Sequence, residues 1–205
     1  MTCAYRAQSI FRRTGKRVPI LPIFSNLPRW NGQKPSQEFL FAVFGRYHSD
    51  MRLSAILDVL TAFPGQKALF IGEAPAFLRS HPQVETTGFL LPEAAAHALH
   101  RARFFMLFDK RGISFRKGSS AAALRNGIPV VANHTEWTDP VFQDNVNVAF
   151  FDGSVAGAIA RIKALLSDPD GCRRIGEEGN RLYEQEMSVH VVVQRIFRLF
   201  REART

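Results

Sequence analysis

The residues best suited to chemistry lie together in one stretch, Gly112 to Val131, GISFRKGSSAAALRNGIPVV. Arg116 and Lys117 precede Gly118-Ser119-Ser120, and three alanines (Ala121, Ala122, Ala123) lead on to Leu124 and Gly127. This order predicts a loop, a short helix from Ser119 to Arg125, and a strand from Ile128 to Ala132. A helix start exposes backbone N–H groups without intrahelical partners and carries a partial positive charge. With two cations beside it, such a segment makes a cradle for a phosphate group.

Further candidates sit at the ends of apolar runs. Gly45-Arg46-Tyr47-His48, with Arg52 close behind, follows Phe39 to Phe44. Glycine lets a ligand approach the backbone, and an arginine at a strand end can clamp a phosphate. Ile71-Gly72-Glu73-Ala74-Pro75 and Thr87-Gly88-Phe89-Leu90 place glycines after two more runs. Any one of these is an ordinary turn when taken singly. Several at one edge of a sheet are harder to assign to turns alone.

Other chemistries find no pattern. His97 and His100 are three apart on a predicted helix, but no carboxylate or third histidine joins them, and no HExxH spacing occurs, so no metal site is expected. A GxSxG elbow, a Walker A loop and a GxGxxG turn are all absent. Cys3 and Cys172 have neither disulfide nor zinc spacing and suit a reducing compartment. The 18 phenylalanines read mainly as core.

The elements that must position these residues alternate. Strands are expected at Glu38–Phe44, Lys67–Ile71, Gln83–Thr87, Phe104–Phe108, Ile128–Ala132 and Val146–Phe150. Helices are expected at Leu53–Phe63, Glu93–Arg101, Ser119–Arg125, Ser154–Leu166 (capped by Ser154), Pro169–Gln185 and Val189–Arg201. Such alternation defines an α/β fold, a doubly wound parallel sheet with ligands at the C-terminal strand ends. Upstream, residues 4–13 read as a short helix ending at Gly15. Arg17–Phe24 is β-like but interrupted by Pro19 and Pro22, which suits an edge strand or the exit from a strand, and Ser25–Ser36 reads as a linker. No apolar run reaches the roughly 18–20 residues that cross a bilayer.

The net charge of +9 is concentrated at one end: residues 1–35 contain seven Lys or Arg and no Asp or Glu. An acid-free basic segment fits a transit peptide, a membrane-surface helix or a nucleic-acid arm, and equally a solvated helix face near a polyanionic ligand. No zinc finger or aromatic RNA-binding signature accompanies it, so nucleic acid is not the expected partner.

From about Phe39 onward, the order of these pieces resembles the C-terminal, donor-binding domain of family-4 (group 1) glycosyltransferases of the GT-B fold. The carriers are Gly45-Arg46, Ile71-Gly72-Glu73-Ala74-Pro75, Thr87-Gly88-Phe89, Phe104 to Asp109, and the loop-helix ending Gly127-Ile128-Pro129-Val130-Val131, followed by closing helices near Ala158–Leu166 and Arg173–Tyr183. The resemblance implies a Rossmann-like domain, residues 36–205, preceded by residues 1–35 as the end of an N-terminal half and its linker. It implies a nucleotide-diphosphate sugar as substrate, no cofactor, and a retaining, metal-independent transfer.

Carried over by position, Arg46 grips the diphosphate. The family's lysine position falls on Met51, leaving Arg52 as its substitute, and backbone at Gly88, Phe89 and Leu90 meets the base. The family's two glutamates, separated by seven residues, fall on Ser114 and Ala122. Residues Arg111 to Ser119 instead resemble a variant branch with a pattern near DGxSxRRxS.

The expected donor site therefore comprises Arg46, Arg52, Arg116, Lys117, Gly118, Ser119 and Ser120 for the diphosphate. Gly45, His48, Gly88, Phe89, Leu90, Gly112 and Ser114 would serve the sugar and base, and no catalytic residue is assigned. The resemblance further implies that most of the acceptor-binding half is missing from this chain. That half would be supplied by a separate polypeptide or by an upstream part of the gene, and the final helix would expose its apolar face (Val192, Ile196, Leu199, Phe200) or find a partner or a second copy. The expected location is cytoplasmic, with peripheral contact at the inner membrane face through the basic residues. A non-catalytic nucleotide- or partner-binding module derived from such an enzyme is the alternative, and a nucleic-acid or membrane-surface protein ranks behind both.

Overall fold

A computed structural model describes residues 3–202. Helix α1 (Ala4–Thr14) ends at Gly15, whose backbone turns left-handed and donates its N–H to the Phe11 carbonyl. Residues 16–38 form no helix or strand. The expected strand at Arg17–Phe24 is therefore absent. Two prolines remove donors there, and among the N–H groups Ile23 instead reaches the Phe115 carbonyl at 2.9 Å.

The alternating body follows as β1 (Phe39–Phe44), α2 (Leu53–Thr61), β2 (Ala68–Ile71), α3 (Ala76–Arg79), β3 (Val84–Thr86), α4 (Pro92–His100), β4 (Ala102–Leu107), α5 (Gly118–Arg125), β5 (Val130–Asn133), β6 (Ala149–Phe151), α6 (Val155–Ser167) and α7 (Pro169–Leu182). A π-helical turn (Tyr183–Met187) joins α7 to α8 (Val189–Glu202). The single turn α3, opened by Pro75, is too short for periodicity to announce. Ser154 caps α6 as its position predicts, accepting the Gly157 N–H at 2.9 Å.

All neighbouring strands are parallel, in the order β3-β2-β1-β4-β5-β6. Their near-continuous apolar runs reflect burial on both faces. In β4 the alternation is plain: Phe104 and Met106 pack among Ile56, Val59, Leu60 and Ile162, while Phe105 and Leu107 pack among Leu99, Leu124 and Tyr183 on the other side. Three buried alanines of α5 bring that helix close against the sheet, which fixes where its N-terminus points.

The irregular stretch is docked rather than loose. Tyr183 Oη accepts the Ser25 N–H at 3.2 Å, Arg125 donates to the Leu27 carbonyl at 2.7 Å, and Asn126 holds Trp30 and Pro28. The exposed face of α8 differs from expectation. Val192 is buried and Ile196 and Leu199 are partly buried, so the outward apolar residues are Val189, Val193, Phe197 and Phe200. No described helix is long and apolar enough to cross a membrane.

Candidate functional site

The strand order reverses between β1 and β4. From β1 the chain winds outward through β2 and β3, then returns to place β4 on the other side of β1. Loops leaving the two central strands diverge there, and a crevice opens at their C-terminal ends. The loops after β1 and β4 are then sewn together. Met51 pairs with Asp109 in an antiparallel bridge, Arg52 N–H donates to the Phe108 carbonyl at 2.8 Å, and Lys110 N–H donates to Asp50 at 2.9 Å.

Two adjoining hollows occupy the crevice. One, about 230 Å³, is walled by Gly45, Arg46, Met51, Asp109, Gly118 and Ser119; the other, about 210 Å³, by Asp50, Arg111, Ser114 and Trp137. His48, Arg116 and Lys117 line both. The first hollow receives the start of α5. No side chain caps that helix, so the backbone N–H groups of its first turn face the hollow's anion-attracting end.

Asp109 is the chemical centre of the crevice, and sequence reading overlooked it. Its side chain is 0% exposed; Oδ1 accepts the Arg111 N–H at 2.9 Å, while Oδ2 lies 2.6 Å from Lys117 Nζ and 3.8 Å from His48 Nε2. A buried carboxylate needs a cation, and Lys117 supplies it. Lys117 is thus a fixed charge, held by an internal partner rather than offered freely to a ligand. Arg46 and Arg116 have no ion-pair partner among the described residues, so their guanidinium groups are the ones open to an anion.

Other expected residues change role. Arg52 points away from the hollows, donating to the Gly153 carbonyl at 2.8 Å with its guanidinium 4.5 Å over the Phe108 ring. Ser120 is buried and spends its hydroxyl on the Lys117 carbonyl at 2.9 Å. Gly112 is likewise buried, at φ 58; a Cβ there would lie 2.6 Å from the Asn133 carbonyl oxygen, so its role is close packing. Ser114 lines the second hollow, with no hydrogen-bond partner for its hydroxyl among the described residues.

Gly88, Phe89 and Leu90 lie along the same strand edge. Gly72 pairs with Gly88 in an antiparallel bridge, and a Cβ on Gly72 would sit 2.5 Å from the Gly45 carbonyl oxygen. Gly45 in turn faces Ser119. A continuous glycine ledge runs from β3 to the start of α5. Phe89 projects from its far end, 82% exposed, while Leu90 packs against the core.

The loop carrying the cations is held from behind. Asp139 accepts the Phe115 N–H at 2.7 Å and the Ala4 N–H at 2.5 Å. Burial pushes its carboxyl above the usual range, and those two N–H groups oppose the shift. Tyr5 packs on Trp137 with ring centroids 3.8 Å apart, and Arg111 lies over Trp137 and pairs with Asp50 at 3.2 Å. The loop after β5 could have been suspected from its place at the C-terminal strand edge; Tyr5 gives no such signal. Among the described residues, no group of three or more His, Cys, Asp or Glu is placed to hold a metal ion.

This fold is the Rossmann-like α/β unit found in GT-B glycosyltransferases. The chain belongs to the glycosyl transferase-like family, whose model matches residues 50–199. No curated protein matches it in sequence. Among solved structures it is similar to sucrose-phosphate synthase from Thermosynechococcus elongatus, with TM-score 0.79 and 14% identity over 99% of this chain and 57% of that one. It is also similar to HepE of Anabaena, solved in complex with UDP and glucose, with TM-score 0.77 and 15% identity over 98% of this chain and 62% of that one. The C-terminal domain of a group 1 glycosyl transferase from Francisella tularensis matches with TM-score 0.61 and 15% identity, over 82% of this chain and 97% of that domain. The chain thus spans little more than half the length of the first two.

Proposed function

We propose that the chain binds a nucleotide-diphosphate sugar in this crevice and serves as the donor half of a glycosyltransferase. The carrying observation is the convergence of two unpaired guanidinium groups, Arg46 and Arg116, on the uncapped start of α5. Such a cluster neutralises a leaving diphosphate, the largest electrostatic demand in glycosyl transfer. Lys117, locked on Asp109, adds a preorganised N–H donor at the same place without net charge. The nucleotide would lie along the glycine ledge toward Phe89, with the sugar beside Ser114 and His48. HepE, whose structure holds UDP and glucose, supports the ligand class.

The finer assignments rest on resemblance: family 4, a variant branch with serine and cations in place of the glutamate loop, retention of configuration, and no metal requirement. Acceptor recognition would come from a second half, contributed elsewhere in the polypeptide or by another chain. A non-catalytic nucleotide-binding module is a second reading. It is favoured by Ser114 and by the fully buried Ala122, which leave the sugar without the expected carboxylates.

Isothermal titration with UDP-, GDP- and ADP-sugars tests the proposal. Saturable binding of one of them, lost in Arg46→Ala/Arg116→Ala, is the expected result; no binding of any would overturn it. Slow hydrolysis of the bound donor would separate the enzymatic reading from the module.

A further inference from the structure

We propose a second anion site at the opposite, N-terminal end of the sheet, built to take a small phosphorylated molecule. A cavity of about 620 Å³ lies there, between the irregular stretch, the start of β4 and the first turns of α7. Its volume falls within the roughly 300–1,000 Å³ of small-molecule sites. Phe104, Leu165 and Leu166 supply an apolar lining suited to a carbon skeleton.

The charges around it are unbalanced. Arg29 and Lys34 arrive from the irregular stretch and Arg103 from β4, and none has an ion-pair or hydrogen-bond partner among the described residues. Arg173 and Glu177, which also line the cavity, neutralise each other at 2.9 Å. Three cations from separate parts of the chain therefore gather without a counter-ion. Their mutual repulsion raises the free energy of the empty cavity, and a multiply charged anion would relieve it.

A second observation points the same way. His100 lines the cavity with both ring nitrogens shielded from water and without a hydrogen-bond partner; the amide of neighbouring Asn126 is committed to Pro28 and Ala122. Burial holds this imidazole below its ordinary pKa, and Lys34, His97 and Arg29 add to that against a contribution from Asn126. Near neutral pH the ring is uncharged and keeps one N–H donor that meets no acceptor at hydrogen-bond geometry, its polar neighbour Asn126 being bonded already to Trp30, Pro28 and Ala122. An oxyanion among the three cations would supply that acceptor.

The site is separable from the crevice, because the two share no residue. The experiment uses the full chain carrying Arg46→Ala/Arg116→Ala, so that the crevice is silenced, with inorganic pyrophosphate as the probe. Calorimetry should detect one saturable site. Adding Lys34→Gln/Arg103→Gln should weaken it about tenfold or more, whereas Arg12→Gln/Arg13→Gln, of equal charge loss on α1, should leave it unchanged. Cys172 lines the cavity and Cys3 is buried, so maleimide labelling reports occupancy: pyrophosphate should slow the modification of Cys172. Absence of binding in the crevice-silenced chain, or binding that both charge variants weaken equally with Cys172 unprotected, overturns the proposal.

Discussion

The two ends of the sheet hold positive charge in different ways. At the C-terminal ends the hollows are small, about 210 and 230 Å³, and the charge is built in: a buried aspartate fixes Lys117, and a glycine ledge brings backbone within reach of a ligand. At the N-terminal ends the cavity is larger, about 620 Å³, and its charge arrives on long exposed side chains, two of them from an irregular stretch. Volume alone thus does not single out the crevice. What marks the crevice is the convergence of uncapped N–H groups, two unpaired arginines, one fixed lysine and close backbone at the strand-order reversal.

The largest effect that would break this contrast is on stability. Asp109→Ala leaves Lys117 without its partner in a mostly buried setting, and should cost about 3–5 kcal/mol. Thermal unfolding measures it, and an unchanged midpoint would mean that the pair holds nothing together. Next, Arg46→Ala with Arg116→Ala should weaken sugar-nucleotide binding by at least about 100-fold, each lost charge-assisted contact being worth ~1.5–3 kcal/mol. A loss of only about twofold in calorimetry would move the diphosphate elsewhere.

Gly72→Ala tests the ledge. Its φ of 129 and the 2.5 Å approach of a Cβ to the Gly45 carbonyl should cost about 1–3 kcal/mol and displace the loop carrying Arg46. Denaturant unfolding gives the first number and donor affinity the second consequence. Arg52→Ala sharpens the comparison by doing little. Its exposed contacts with Gly153 and Phe108 are worth under about 1 kcal/mol, and donor affinity should hold within about twofold.

The smallest effect is a pH dependence at Asp139. Because burial raises its folded pKa, the group's contribution to stability is complete below the ordinary carboxylate value and is lost as pH rises through the folded one. Denaturation profiles across the acid range should show this decline in the natural chain. Asp139→Asn should remove it.

Much of this architecture was legible in the sequence, because parallel strands buried on both faces are written as apolar runs punctuated by glycine. The loop-helix at Gly112–Val131 was legible for the same local reason. Asp109 was not: its importance depends on burial and on a lysine brought back to it across the loop. Arg52 misled because spacing placed it near the family's lysine position, while the entry into α2 turns its side chain toward Gly153. Ser120 misled because its hydroxyl finds a carbonyl of its own loop. In α8 the residues are apolar around much of the helix, so periodicity offers two stripes, and only packing against the body selects Val192 rather than Val193.

The double duty of Asp139 has a thermodynamic consequence. One carboxyl holds both the backbone of the cation loop, at Phe115, and the first turn of α1, at Ala4. Helix α1 buries no residue of its own, so it is poorly anchored apart from such contacts. Any ligand that orders the loop must then tighten the docking of α1 by the same coupling free energy, and release of α1 must loosen the ligand in equal measure. Trypsin would read this reciprocity directly, since cleavage after Arg6, Arg12 or Arg13 should slow as the crevice fills.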